Sequence, residues 1–425
     1  MGDSLGFHII FALLSIGIPF VMSLLEIYAI RKKNDKLMEV VKLLSRWTVV
    51  LAVTGVISGT IIAFQFAILW PDFVKFVNPA VGVGFQLETY AFLLEAIFLA
   101  WYMASWKKLS PIKHWLIGLP IFIGAAGSAV FITCVNAFMN NPTGIVVENG
   151  KIVSANVMQA LFSTTAFFEV THSVLGYLLC GVVVVGSFAA WRLWRSKNEQ
   201  HIPLRIIGVM SIAGLVITML TAMLGHFSMQ YLATSEPRKF AAIEATTETY
   251  QSNAPYRVLG EVNKNGDVEG GVVIPSLLSV MAGNSPNTPV LGLEEWPKSE
   301  WPPLIVNKLF EIKMVLVGFI SVLLLATTFW YWHFKRLPKW LSRPYIFAGP
   351  VAIIIVELGW MLTELGRQPF AVVGLLTTAE AFTKDTSALQ LGLIFPILFV
   401  ILSIVSFSAI VIINKKWRKE YKVDW

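Results

Sequence analysis

The chain has 425 residues, of which 56% are hydrophobic and 14% charged, and it carries a net charge of +7. Soluble globular proteins carry roughly a quarter charged residues, so this composition excludes a soluble fold and makes lipid the solvent. The positive charge is spread over short segments between apolar runs, which excludes nucleic acid as a partner. Cys134 and Cys180 lie inside apolar runs without CxxC spacing, which supports neither a disulfide framework nor a cysteine metal site.

Apolar stretches long enough to cross a ~30 Å hydrocarbon core recur along the chain. They predict an all-α integral membrane protein of about nine transmembrane helices, at roughly 5–30, 47–70, 86–105, 113–139, 158–192, 204–231, 308–333, 344–365 and 389–414. The first run is a full span rather than the short core of a removable signal. Basic clusters follow span one (Arg31, Lys32, Lys33, Lys36), span three (Lys107, Lys108), span five (Arg192, Arg195, Lys197) and span seven (Lys335, Arg336, Lys339). The tail adds Lys415, Lys416, Arg418, Lys419 and Lys422, whereas the loops 71–85 and 140–157 hold only Lys75 and Lys151. The positive-inside rule then places the N-terminus outside and the C-terminus in the cytoplasm.

Three segments follow: helices one to six over 1–231, a long outer loop over 232–307, and helices seven to nine with a basic tail over 308–425. Within the loop, Glu236 to Glu248 is expected to be helical, and Asn263, Asn265, Gly266 and Asp267 read as a turn. No internal repeat is evident.

Charges inside spans are costly and mark ligands, counter-ions or pathways. At about 1.5 Å per residue, His8 falls near the outer surface, His172 mid-to-outer in span five, and His226 near the outer end of span six. Met314 follows the outer entry of span seven. Glu88 and Glu95 occupy the outer half of span three, and Glu357, Glu364 and Arg367 the outer half and exit of span eight. Residues of six spans thus share one depth beneath the long loop. Histidine, methionine and carboxylate can ligate haem iron, and the pairs Glu88/Glu95 and Glu357/Glu364, each seven apart, share a helix face suited to proton transfer. Glu26 is expected to snorkel, Glu311 and Lys313 to sit at the interface, and His114, His201 and His333 to be solvated. Spacing alone leaves a redox protein and a proton-coupled transporter equally open.

The segment Gly366-Arg367-Gln368-Pro369-Phe370 closely resembles the GRQPW signature of cytochrome bd-type quinol oxidase subunit I. His8 to Glu26, Phe64-Gln65-Phe66, Leu94-Glu95, Lys239 to Glu244 and Val356 to Trp360 resemble further segments of that family in order, over nearly the whole chain. The resemblance implies a membrane enzyme that oxidises quinol on the outer face and reduces O2 to water with cytoplasmic protons, generating proton motive force without pumping. It implies His172 and Met314 as axial ligands of a low-spin haem b, and His8 and Glu357 as ligands of two high-spin haems, one haem b and the other haem d or a third haem b. It further implies Lys239 and Glu244 as quinol contacts, and Glu88 and Glu95 in the proton route and oxygen-site environment. Arg367 would sit at a haem propionate, with Glu364 behind the ligands. A second membrane subunit, with a small single-span partner, and a bacterial or archaeal cell membrane are implied as well.

The chain departs from the pattern in places. The signature ends in Phe370 rather than Trp. Glu88 and Glu95 stand one residue closer than the family pair. Ile312 occupies the place of an Arg before the axial methionine, with Lys313 alongside, and the loop is of the short type. A haem b-only variant therefore stays open beside the bd type, as does a non-oxidase quinol sensor.

Overall fold

The computed structural model describes residues 2–195, 201–263 and 266–420; Lys197, Asn265 and Lys422 lie outside the described residues. Among the described residues nine helices are long and apolar enough to cross a membrane. They are α1 (Gly2–Lys32), α2 (Asp35–Leu69), α3 (Pro71–Ser105), α4 (Pro111–Asn140), α5 (Thr164–Arg195), α6 (His201–Ser235), α7 (Ile305–Phe334), α8 (Lys339–Gly366) and α9 (Ile394–Glu420). α1 packs on α2, α4 and α5; α5 and α7 each pack against both α6 and α8; α9 lies against α2. One core of Leu, Ile, Val and aromatic side chains runs through the middle of this bundle, from Leu13 on α1 to Trp417 on α9. Small residues allow close approach: Gly17 of α1 and Gly181 of α5 lie backbone to backbone, so a Cβ on Gly17 would fall 2.6 Å from the Tyr177 carbonyl oxygen.

Several boundaries differ from the apolar runs. Residues 71–85 are not a loop but the first four turns of α3, with Pro71 in the first turn. Asp72, Lys75 and Asn78 interrupt the apolar run there, yet Phe73, Phe76, Val77, Ala80 and Val81 are buried in a second core with the far end of α4. The fifth run is split. A short helix Val157–Leu161 is capped by the Asn156 side chain, and the Ser163 hydroxyl accepts from the Ala166 amide to restart the chain as α5. Likewise Thr386–Gly392 precedes α9 as a separate piece. The α4–α5 connection is an antiparallel hairpin of β1 (Ile145–Glu148) and β2 (Lys151–Ala155), turning at Asn149-Gly150, both at positive φ.

The long connection after α6 is folded. It opens with a short helix, Pro237–Ile243, which covers only the first half of the expected 236–248 helix; the chain leaves the helix at Glu244 and takes a positive φ of 52° at Ala245. β3 (Tyr256–Val258) pairs with β6 (Val272–Ile274) around an inner pair, β4 (Glu261–Val262) and β5 (Val268–Glu269). The turn between β4 and β5 contains Gly266 at φ +100°, where the sequence signalled it. A helix Leu277–Gly283 and two 3-10 turns complete the loop. Ala241, Ala242, Ile243 and Leu293 pack on Val306, Leu309, Leu358 and Leu362, which seats the loop on the ends of α7 and α8. The Asn307 side chain donates to the Ile243 carbonyl at 3.0 Å and locks it there. After α8, β7 (Phe370–Val372) and β8 (Leu376–Thr377) form a small hairpin.

Two expectations are corrected at the opposite end. Glu26 does not snorkel and His114 is not solvated; both are buried and hydrogen-bonded to each other. His201 and His333 are exposed, as expected.

Candidate functional site

His8 lies on the face of α1 that meets α2: its Nδ1 is 2.8 Å from the Ser58 hydroxyl, and a Cβ on Gly59 would sit 3.2 Å from its Cε1. Gly6, on the other side of α1, faces α8, where a Cβ would stand 3.4 Å from Glu357 Oε2. Glu357 Oε1 is buried with no hydrogen-bond partner. His8 and Glu357 therefore flank α1 on opposite faces.

His172 of α5 turns towards α6, where a Cβ on Gly225 would be 3.5 Å from its Cε1, and its Nδ1 is buried without a partner. Lys313, one residue before Met314, is partly buried with Nζ against Gly359 of α8. Met314 is 49% exposed. One turn beyond His172 is Gly176 and one turn beyond Met314 is Gly318, each on the face of its partner. A Cβ at either glycine would meet nothing within 4 Å. Open space thus lies beside both side chains: Gly176 is half-buried on α5, and Gly318, like Met314, is exposed on α7. His226 is exposed and stands apart, beside Phe227.

Glu88 and Glu95 face α4 rather than this region. Glu88 meets the Ser128 hydroxyl, and Glu95 is buried with Oε1 unpartnered where Gly124 lets the two backbones close.

A polar network covers the loop side. Arg367, buried, grips both oxygens of Glu364, and Asn136 donates to Glu364 Oε1 at 2.6 Å. Asn140 donates to Asn136 Oδ1 at 2.9 Å and to Glu169 at 3.2 Å. Lys239 Nζ donates to Asn140 Oδ1 and to Glu236, both at 3.1 Å. The network opens on a cavity of about 430 Å³ bordered by Arg238, Lys239, Arg367 and Phe370. The Arg238 guanidinium lies 4.7 Å from the centre of the Phe370 ring, so the aromatic ending of the signature carries a cation.

Glu244 belongs elsewhere. It borders a second cavity of about 620 Å³ with Tyr250, Arg257, Trp296 and Trp301. Both its oxygens are buried without a hydrogen-bond partner. Burial, with the nearby Glu311 carboxylate, pushes its pKa up to about 8. Lys239 and Glu244, expected together at one quinol, border different cavities.

The profile described as cytochrome bd terminal oxidase subunit I matches residues 1–421. The chain belongs to that family. This bd-type subunit I is 34% identical to the putative cytochrome bd menaquinol oxidase subunit I of Bacillus subtilis (strain 168), over 100% of this chain and 96% of that one. It is 26% identical to the cytochrome bd ubiquinol oxidase subunit 1 of the same organism, over 90% and 84% of the two chains. The solved bd oxidase from Geobacillus thermodenitrificans superimposes with a TM-score of 0.90 at 31% identity, over 98% of this chain and 96% of that one.

A bd-type subunit I implies haem, and the residues present fit it. Among the described residues no three His, Cys, Asp or Glu side chains converge on a bare metal ion, whereas a porphyrin brings four nitrogens and needs only axial donors and a slot. The unpartnered His172 nitrogen and the unpartnered Glu357 oxygen supply such donors, and Gly176 and Gly318 leave room beside His172 and Met314. The residues the sequence reading did not single out are these glycines, the Asn136–Asn140 pair and Glu236. The glycines were detectable four residues after His172 and Met314, and the asparagines as an i, i+4 polar pair near the end of an apolar run.

Proposed function

We propose that the chain is the haem-bearing subunit of a terminal respiratory oxidase that oxidises quinol at the loop face and reduces O2 to water. The supporting observation is the buried, unpartnered His172 nitrogen, with open space at Gly176 and Gly318, within a fold shared with bd oxidases. In this reading His172 and Met314 hold a low-spin haem b, and His8 and Glu357 hold two high-spin haems, one of b type and the other haem d or a third haem b. Bound there, the haems supply electron transfer and the reduction of oxygen.

Every other role falls to side chains of this chain. The cavity beneath Trp296 and Trp301 offers aromatic walls for a quinol ring, and Glu244 offers a proton acceptor with no competing partner. Lys239, engaged with Glu236 and Asn140, holds the loop helix to α4 and acts on quinol through that position. Arg367 places a cation at the loop-side edge of the bundle, suited to an anionic propionate. Glu88 and Glu95 carry protons towards the oxygen site. With the loop outside and both the C-terminus and the basic segments in the cytoplasm, quinol protons leave on one side and protons for water enter from the other. Charge separation follows without a pump.

A second reading of one ligand has its own observation. Ligating carboxylates are themselves held by hydrogen bonds, and Glu364 already has such support from Arg367 and Asn136. Glu364 is then the ligand and Glu357 the proton-carrying neighbour; haem content in Glu357→Gln against Glu364→Gln separates the two.

The three segments 1–231, 232–307 and 308–425 act as bundle, quinol loop and closing helices. The remaining partners are a second membrane subunit and a small single-span one in the cell membrane. The direct test is quinol-dependent oxygen consumption by the purified complex in detergent. The proposal predicts turnover that Glu244→Gln suppresses; haem-loaded protein without quinol oxidation would point to the sensor instead.

A further inference from the structure

At the end of the bundle away from the loop, three titratable side chains from three helices are sealed in one cluster. Glu26 of α1 is 1% exposed, His114 of α4 3% and Tyr102 of α3 0%. The Tyr102 hydroxyl donates to Glu26 Oε2 at 2.7 Å, and His114 Nδ1 lies 2.6 Å from Glu26 Oε1. His114 Nε2 lies 3.2 Å from the Tyr102 carbonyl oxygen. A carbonyl can only accept, so Nε2 carries a hydrogen. Tyr102 and Trp106 pack together against the ring, each with its centroid 4.1 Å from it and 5.3 Å from the other.

These bonds fix the proton count. With Nε2–H and the tyrosine O–H both committed, one further proton remains, shared between Nδ1 and Oε1. It sits either on glutamic acid beside neutral imidazole or on imidazolium beside carboxylate. Both forms are neutral overall, and burial tolerates neutrality. The cluster thus stores one mobile proton, and losing it inward leaves one negative charge that draws in the next.

Its placement gives that proton a direction. Tyr102 is the third member of a series on α3, Glu88, Glu95 and Tyr102, each seven residues apart and on one helix face, about 10 Å per step. His114 stands in the first turn of α4 beside Lys113, just after the connection holding Lys107 and Lys108, and all three lysines are exposed. We propose that Glu26 and His114, with Tyr102, form the proton-loading station through which protons from the basic end of the bundle reach Glu95 and then Glu88. This rests on the reading of those two carboxylates as proton carriers.

The test uses the complete, haem-loaded complex. Proton uptake during reaction of the reduced complex with O2 is followed with a pH-indicator dye, and quinol reduction of the low-spin haem is followed separately. Glu26→Gln is expected to slow uptake by roughly 10²-fold, the lower end of the range for positioned proton transfer, and to raise the solvent deuterium effect. Quinol reduction of the haem should be unchanged. Where Glu26→Gln does not assemble, His114→Gln and Tyr102→Phe carry the test; the latter removes one oxygen atom and keeps the ring contact. Full-rate uptake in these variants, with Glu95→Gln slow, overturns the loading station alone. Full-rate uptake in Glu95→Gln as well overturns the α3 route and the station with it.

Discussion

Lys239 and Glu244, five residues apart across one short helix, border different cavities: Lys239 is tied to Asn140 and Glu236, while Glu244 stands unpartnered beside Trp296 and Tyr250. A loop helix that turns these two groups apart gives them separable roles. Glu244→Gln is expected to lower kcat/KM for quinol by roughly 10²-fold, the typical loss for a positioned base, with haem content intact. Lys239→Met is expected to strand Glu236 and loosen the loop. Its signature is faster cleavage of residues 236–304 by protease with a smaller loss of turnover.

The raised pKa of Glu244 fixes a sign. A carboxyl moved from 4.5 up to about 8 is neutral at pH 7 and anionic above pH 8. If the anion accepts the quinol proton, kcat/KM rises with pH through about 8, and Glu244→Gln flattens that rise. The same shift makes the folded state bind this proton more tightly than the unfolded chain. Its contribution is therefore most favourable below about pH 4.5 and is lost as pH climbs to about 8. A pH–rate profile of the two proteins checks the first expectation.

Filling the slot should exclude the haem without breaking the helices. Gly176→Leu or Gly318→Leu places a side chain where nothing now stands within 4 Å. Each variant is expected to keep native helix content by circular dichroism while losing the low-spin absorption band; an unchanged band would move that haem elsewhere.

Removing Arg367 leaves Glu364 with only Asn136 and partial solvent. Arg367→Met should cost roughly 2–3 kcal/mol, below the full penalty of a broken buried pair, seen as a lower thermal midpoint. Phe370→Trp should be neutral, because either ring can lie under Arg238.

The spans were legible because long apolar runs have few alternatives in a membrane. The ends were not. Asp72, Lys75 and Asn78 mimic a loop, and only the packing of Phe73 and Val77 on α4 shows that α3 starts at Pro71. Glu26 and His114 read as surface groups because each stands near a basic segment; their burial is a three-helix event that no single periodicity encodes. His172 and Met314 are legible by residue type, whereas the room left beside them at Gly176 and Gly318 shows only in three dimensions. Lys239 and Glu244 read as a pair in the sequence, yet they border different cavities once the loop docks on α7 and α8.

The central claim is that this bundle carries haem between its helices, and a reduced-minus-oxidised absorption spectrum of the purified complex, with haem extraction from the same sample, tests it most directly. The account predicts a low-spin haem b band that Met314→Leu removes, together with high-spin haem. A long-wavelength chlorin band would assign haem d to the oxygen site, and its absence would assign haem b there. A complex with full helix content and no extractable haem would contradict the account.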